Sequence, residues 1–270
     1  MKLNAFLLSL VIFFFSTPAF SQNSPYELEH DLVVDGVITG TGLLVGMLLE
    51  TAVKNAFASQ TCKWCSPPGI DVSVRQSLKW DNVKTARVIS DTVATTELVS
   101  IFSFMAFAAI QSGHLEFLVQ DLLLITESVV ITMLITSIIK TTVGRQRPFA
   151  HFEGDRIREL DSNLSFFSGH SSATSSIAAA ASTLAFLRGY DEAPWILALG
   201  GTLSLTTAYL RVAGDAHYLT DVLPGLLVGT GLGIGIPLLF HGRKKDSDSP
   251  KQQSQSLSLG LSSVNYRLTF

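Results

Sequence analysis

The sequence predicts an all-α fold, a helical bundle embedded in a membrane, and three observations predict it. Six long apolar stretches recur, at 32–53, 86–110, 117–139, 166–187, 194–210 and 219–240, most of them close to the ~20 residues that cross a bilayer as helix. Apolar residues make up 47 % of the chain and charged residues only 15 %. Before the last residues there is no run of alternating β-branched residues bounded by turn signals, which a sheet would require. The mean hydropathy of +0.37 is high for a soluble domain and modest for a compact membrane protein, so the helices are expected to carry polar seams.

The chain begins like an exported protein. Lys2 supplies a positive start, residues 5–15 are apolar, and Ala19 and Ser21 are small residues at the positions a signal peptidase reads. Residues 1–21 are therefore expected to be a signal peptide or anchor, with cleavage after Ser21. The length of 270 residues suits one domain or two small ones. We divide the rest into an N-terminal helix and cysteine loop (22–85), a helical bundle (86–240) and a basic, polar tail (241–270).

The first stretch carries Gly36, Gly40, Gly42 and Gly46, a small-xxx-small spacing that permits close helix packing. Asp35, Glu50, Asp91, Glu97, Asp121 and Glu127 interrupt the apolar runs. Such groups are costly in lipid and are expected to face the protein interior. Cys62 and Cys65 are the only cysteines, and in an exported chain a short local disulfide is the expected state. A redox pair would want a βαβ setting, and a zinc site would need two more ligands nearby. The tail alternates weakly over 257–270 and ends in Phe270. One strand cannot close a barrel, so a short appended strand or a disordered end is expected.

If every stretch spans, the cysteine loop 55–81 and the polar connection 140–164 share one side. The basic run 241–245 then lies opposite. Positive charge belongs inside, which puts both loops outside, in the periplasm of a bacterial-type envelope. A cleaved signal would instead make the first helix deliver the cysteine loop inside. The two premises conflict, and we keep the loops outside. The net charge of −3 and the lack of a basic cluster with interleaved aromatics offer nothing to a nucleic acid.

Three segments carry chemistry. In the first, Lys140 ends an apolar helix and Arg147 precedes Pro148, two cations able to converge on one anion. Arg145 is a third whose spacing fits less well. In the second, Ser168-Gly169-His170 opens an Ala- and Ser-rich helix. A helix N-terminus exposes unpaired N–H groups to an anion, Gly169 admits close approach, Ser168 adds a hydroxyl, and His170 is placed to protonate a leaving oxygen. In the third, Arg211 is followed by His217 and Asp221. The i, i+4 spacing sets the last two on one helical face, where a carboxylate can hold one ring nitrogen and leave the other free to attack.

These residues, in this order, resemble the three motifs of the type 2 phosphatidic acid phosphatase superfamily, which also holds class A acid phosphatases and vanadium haloperoxidases. The resemblance covers roughly 86–240. It departs at Phe167, where a proline is usual, and at Leu210, where a serine often precedes the arginine. Cys62, Cys65, Asp71, Arg75, Ser90 and Asp91 also resemble an extension of some exported bacterial members.

The resemblance implies a six-helix bundle and a phosphatase that needs no metal or cofactor. His217 is implied as nucleophile, Asp221 as its orienting carboxylate and His170 as acid, then base. Lys140, Arg147, Ser168, Gly169 and Arg211 are implied to hold the phosphoryl oxygens. A phosphorylated lipid is the expected substrate. A soluble periplasmic acid phosphatase and a vanadate-dependent haloperoxidase are the enzymatic alternatives, and a non-enzymatic lipid-binding bundle is the third.

Overall fold

The computed structural model describes residues 31–49, 61–154 and 161–241, together with Leu28, Thr51 and the backbone of 257–261 and 264–268. The expected leader at 1–21, and Glu50, lie outside the described residues. The described helices are α1 (Leu32–Leu48), α2 (Gly69–Leu78), α3 (Val83–Ser112), α4 (Leu118–Val143), α5 (Pro148–Glu153), α6 (Gly169–Arg188), α7 (Ala193–Ala213) and α8 (Leu219–Phe240). The six apolar stretches become α1, α3, α4, α6, α7 and α8, while α2 and α5 are short helices on the connecting loops. The tail holds two strands rather than one: β1 (Leu257–Leu261) pairs antiparallel with β2 (Val264–Leu268), Leu259 opposite Tyr266.

Local chemistry sets the helix ends near the site. The Asn82 side chain accepts from Thr85 N and starts α3, an ordinary N-cap. Ser168 caps α6 in the same way through Ser171 N. α4 stops at Gly144 with φ 61°, a left-handed residue that glycine adopts without a Cβ penalty. Its amide returns to the Lys140 carbonyl, and the chain turns sharply out of the bundle.

α3, the unit Leu115–Val143, α7 and α8 are each long and apolar enough to cross a membrane. Their outer faces expose Val99, Val119, Leu227 and Leu239, as a lipid-facing surface would. α6 is different. It is rich in Ala and Ser, is buried along almost its whole length, and packs against α8, α7, α4 and α3. It is the axis of the bundle.

The tightest seam joins α6 to α8. Gly225, Gly229 and Gly233 recur every fourth residue of α8 and face α6. A Cβ would lie 2.8 Å from the Ser168 carbonyl oxygen at Gly225 and 2.6 Å from that of Ser176 at Gly233, and at Gly229 it would overlap the Ser172 carbonyl. The glycine stripe expected on α1 is narrower than its spacing suggests. Gly42 packs on Val130 and Gly46 on Leu134, but Gly36 and Gly40 face open space. The reason is that α1 lies on the outside of the bundle, against α4, so only one of its faces has a neighbour. The pairings Gly42–Val130 and Gly46–Leu134 also show that α1 and α4 run parallel.

The acidic residues of the helices do turn inward. Asp121 is held by Arg188 Nη2 at 2.6 Å, with Gln120 alongside. Glu97 accepts from Ser204 Oγ at 2.9 Å, and Glu127 meets His241 at 3.2 Å. Asp91 is the exception, with 59 % of its side chain exposed. The main apolar core, built around Ile101, Met105, Leu124, Leu184 and Ile196, fills one half of the bundle. The other half, where α4 and α7 end and α6 and α8 begin, is polar.

The α6–α8 seam leads to a clear expectation. Gly229→Leu must push apart two helices in backbone contact, and overpacking of this kind costs about 1–3 kcal/mol or more. Thermal unfolding in detergent will show a lowered Tm, whereas Gly231→Ala, which meets nothing within 4 Å, will be neutral or slightly stabilising.

Candidate active site

The end of α4, the loops around α5, the start of α6, the end of α7 and the start of α8 meet at the polar end of the bundle. Lys140, in the last turn of α4, reaches the first residue of α6: a Cβ on Gly169 would stand 2.9 Å from Lys140 Nζ. An ammonium thus rests against the N-terminus of a helix, where amide N–H groups already attract negative charge. A side chain at 169 would displace this ammonium, the mobile end of a flexible chain, from its place.

Arg147 is buried and is held at the mouth of α5. Its Nε donates to the Asp161 carbonyl oxygen at 3.0 Å and its Nη2 pairs with the Asp161 carboxylate at 2.9 Å. Arg211, in the last turn of α7, is also buried and places Nη1 2.9 Å from Asp91 Oδ1. His170 Nε2 lies 3.0 Å from that same oxygen. One carboxylate oxygen from α3 therefore bridges a cation of the third motif and the histidine of the second. Ser168 Oγ is buried and turned toward its own helix, accepting from Ser171.

After α7 the chain folds back so that the amides of Ala216 and His217 both donate to the Arg211 carbonyl. This loop fixes His217 next to the arginine. Asp215, at its apex with φ 55°, is clamped by Arg75 of α2 at 2.6 and 2.8 Å. His217 is 2 % exposed, and its Nδ1 lies 3.7 Å from Asp221 Oδ2. That is an ion-pair distance and longer than a hydrogen bond. Burial pushes the His217 pKa well below the ordinary imidazole value, and the charges of Arg147, Arg211, Lys140 and His170 push it the same way. Its neutral form, with a lone pair to give, is favoured.

Asp221 has further partners. Ser165 Oγ donates to Oδ2 at 2.6 Å, the Tyr218 amide donates to Oδ2 at 2.8 Å, and Arg145 Nη1 holds Oδ1. All the site residues named from sequence therefore gather at one end of the bundle. Several others in the cluster were not singled out as site residues: Arg145, Asp71, Ser165 and Asp91. Arg145 is a buried strut on Asp221, and Asp71 of α2 binds it at 2.6 Å. The signal available for Asp91 was a carboxylate in an apolar run, and for Asp71 its place beside the cysteine loop. Neither spacing names a partner.

Ligand-type atoms that could hold a metal cluster elsewhere. Asp35, Glu127 and His241 bring such atoms within 4.8 Å of one another. His241 follows the last turn of α8, about 33 Å along that helix from its first residue.

Residues 121–245 match the PAP2 superfamily. This part of the chain belongs to that superfamily. The match contains every residue of the three motifs and supports a phosphatase of that superfamily. The fold also has a likeness, at 18 % identity and a TM-score of 0.44, to a transmembrane PAP2-type phosphatidylglycerolphosphate phosphatase from Bacillus subtilis, covering 74 % of this chain and 94 % of that one. No curated protein matches in sequence. The segment holding Cys62, Asp71, Arg75 and Asp91 precedes the matched residues.

The electrostatics of His217 set a pH expectation. If it must be neutral to act, the acid limb of the kcat/KM profile lies well below pH 6.5. Removing a neighbouring cation relieves the repulsion of the imidazolium and raises the pKa. Arg147→Gln will therefore move the acid limb upward as well as lower kcat/KM, and a pH–rate profile of the two proteins measures both.

Proposed function

We propose that the bundle 86–240 hydrolyses a phosphate monoester or diphosphate carried by a lipid, without a metal, through a phosphohistidine on His217. The observation that carries this reading is a buried imidazole held in its neutral form first by burial and then by the charges of Arg147, Arg211 and Lys140 around it. A nucleophile with that surrounding suits an electrophile bearing several negative oxygens.

His217 Nδ1 is turned to Asp221, so Nε2 is the attacking atom. The N–P bond forms as the P–O bond to the leaving alkoxide breaks. His170 gives a proton to that oxygen, and then takes one from the water that attacks the phosphohistidine. The N–P bond breaks, inorganic phosphate leaves and His217 is restored. Lys140, Arg147, Arg211, Ser168 and the Gly169 N–H hold the three phosphoryl oxygens, and each such donor is worth about 3 kcal/mol in the transition state. Asp221 orients His217 and stabilises the imidazolium side of the reaction.

The lipid assignment is supported by the place of the site, at one end of helices whose outer faces are apolar. The chain end that follows α8 is basic, with Arg243, Lys244 and Lys245. The described end of α8, Phe240, lies opposite the site, these residues follow it in sequence, and positive charge belongs on the cytoplasmic side. We therefore place the site on the periplasmic face.

The test is phosphate release from phosphatidate, phosphatidylglycerophosphate, undecaprenyl diphosphate, lipid A phosphate and p-nitrophenyl phosphate, with acid-quenched labelling of the enzyme. Lipid phosphates will be preferred, and His217→Ala will lose label and about 1,000-fold or more in kcat. Release of the enzyme by detergent-free extraction, with preference for the soluble ester, overturns the lipid assignment. Unchanged turnover by His217→Ala overturns the mechanism.

A further inference from the structure

The disulfide-closed segment before α2 reaches the catalytic carboxylate through a single buried arginine. Cys62 and Cys65 are joined, which closes a short loop around Lys63 and Trp64. That loop is paired with the exit of α4: the Lys63 amide donates to the Gly144 carbonyl at 2.9 Å, and the Gln146 amide to the Trp64 carbonyl at 3.0 Å. The pairing sets the Trp64 ring against Arg145, whose guanidinium carbon lies over it 3.9 Å from the ring centre, with Tyr218 at 4.5 Å. Stacking of this kind is a contact that lysine cannot replace.

Arg145 is 1 % exposed, and its fork is used on two carboxylates. Nη2 binds Asp71 at 2.6 Å, while Nη1 holds Asp221 and the Thr220 hydroxyl. Asp71 is itself anchored on the start of α8. It accepts from the Thr220 amide at 3.0 Å and the Thr220 hydroxyl at 2.6 Å. The residue next in sequence is Asp221, and its Oδ2 is the oxygen turned to His217. A closed ring of contacts thus runs from Asp71 to Arg145 to Asp221 and back through Thr220.

We propose that Asp71 and Trp64 are positioning residues for the phosphoryl-transfer step: they hold Arg145 on Asp221, and through Asp221 set the attack geometry of His217. This inference rests on the phosphohistidine reading above. It gives the segment before the superfamily match a part in the chemistry. It also explains the closed Cys62–Cys65 loop, which holds Trp64 in register with Arg145.

The experiment compares wild type, Asp71→Asn, Trp64→Ala and His217→Ala, purified in detergent and checked for a folded, monodisperse state. For each, kcat and acid-stable enzyme labelling are measured with the best lipid phosphate of the panel, and inorganic phosphate is titrated as a competitive inhibitor. Misplacing a nucleophile by a fraction of an ångström to an ångström costs about 10–100-fold, so Asp71→Asn will lose that much kcat and labelling rate. Trp64→Ala, at the half-buried end of the stack, will lose less in the same sense and does not leave a buried charge unpaired. The inhibition constant for phosphate will stay within about twofold, because neither substitution removes Lys140, Arg147 or Arg211.

A parallel loss of phosphate affinity and kcat in both variants, or an unchanged kcat in both folded variants, overturns the inference while His217→Ala remains unlabelled. A labelled His217→Ala overturns the phosphohistidine reading and this inference with it.

Discussion

The carboxylate of Asp221 is the point on which the catalytic end depends. It is fully buried, and its atoms are shared among segments far apart in sequence. Its side chain takes Arg145 from the α4 exit, Ser165 from the loop before α6 and the amide of Tyr218. Its main-chain carbonyl takes the amide of Ser168 and so ties the start of α6 to the start of α8. Removing one partner from such a buried ionic cluster costs about 3–5 kcal/mol, although assembling it adds little net stability. Its contribution is specificity. It fixes which loop lies against which, and therefore where His217, His170 and the cations stand relative to one another.

The two halves of the bundle divide the work. Stability comes from the apolar cluster around Ile101, Met105, Leu124, Leu184 and Ile196 at the end away from the site. This leaves the near half free to be built from Ser, Thr, Asp, Arg and His. α6 serves both. Its Ala and Ser side chains let α8 approach to backbone contact, and its first turn supplies the site with Gly169 and His170. A larger side chain in the seam would separate the two helix starts that Asp221 joins.

Most of the architecture was legible in the sequence because a membrane helix announces itself by length and hydropathy alone. The six apolar stretches are the six long helices, shifted by a few residues at their ends. The three motif segments were legible because each packs its chemistry into a few neighbouring residues. What escaped were contacts with no local signature. Arg145 was a third cation whose spacing fitted an anion less well, and it is turned onto carboxylates, because Asp71, 74 residues away, meets it. Asp91 looked like an interior acid, yet it stands at the mouth of the site with Arg211 and His170. The Gly225–Gly229–Gly233 seam escaped while the similar glycine spacing of α1 was read, because spacing does not say whether a helix has a neighbour on that face.

The parallel run of α1 and α4 bears on how the protein lies across a bilayer. α1 climbs toward the active-site end beside α4, and α3, α6 and α8 descend from it. The residue that opens α1, Leu32, and the one that closes α8, Phe240, thus lie toward the same face of the bundle, while the cysteine loop and the catalytic loops occupy the other. The first residue of α1 and the last of α8 therefore stand a helix length away from the candidate active site, so a reporter attached there would not crowd it.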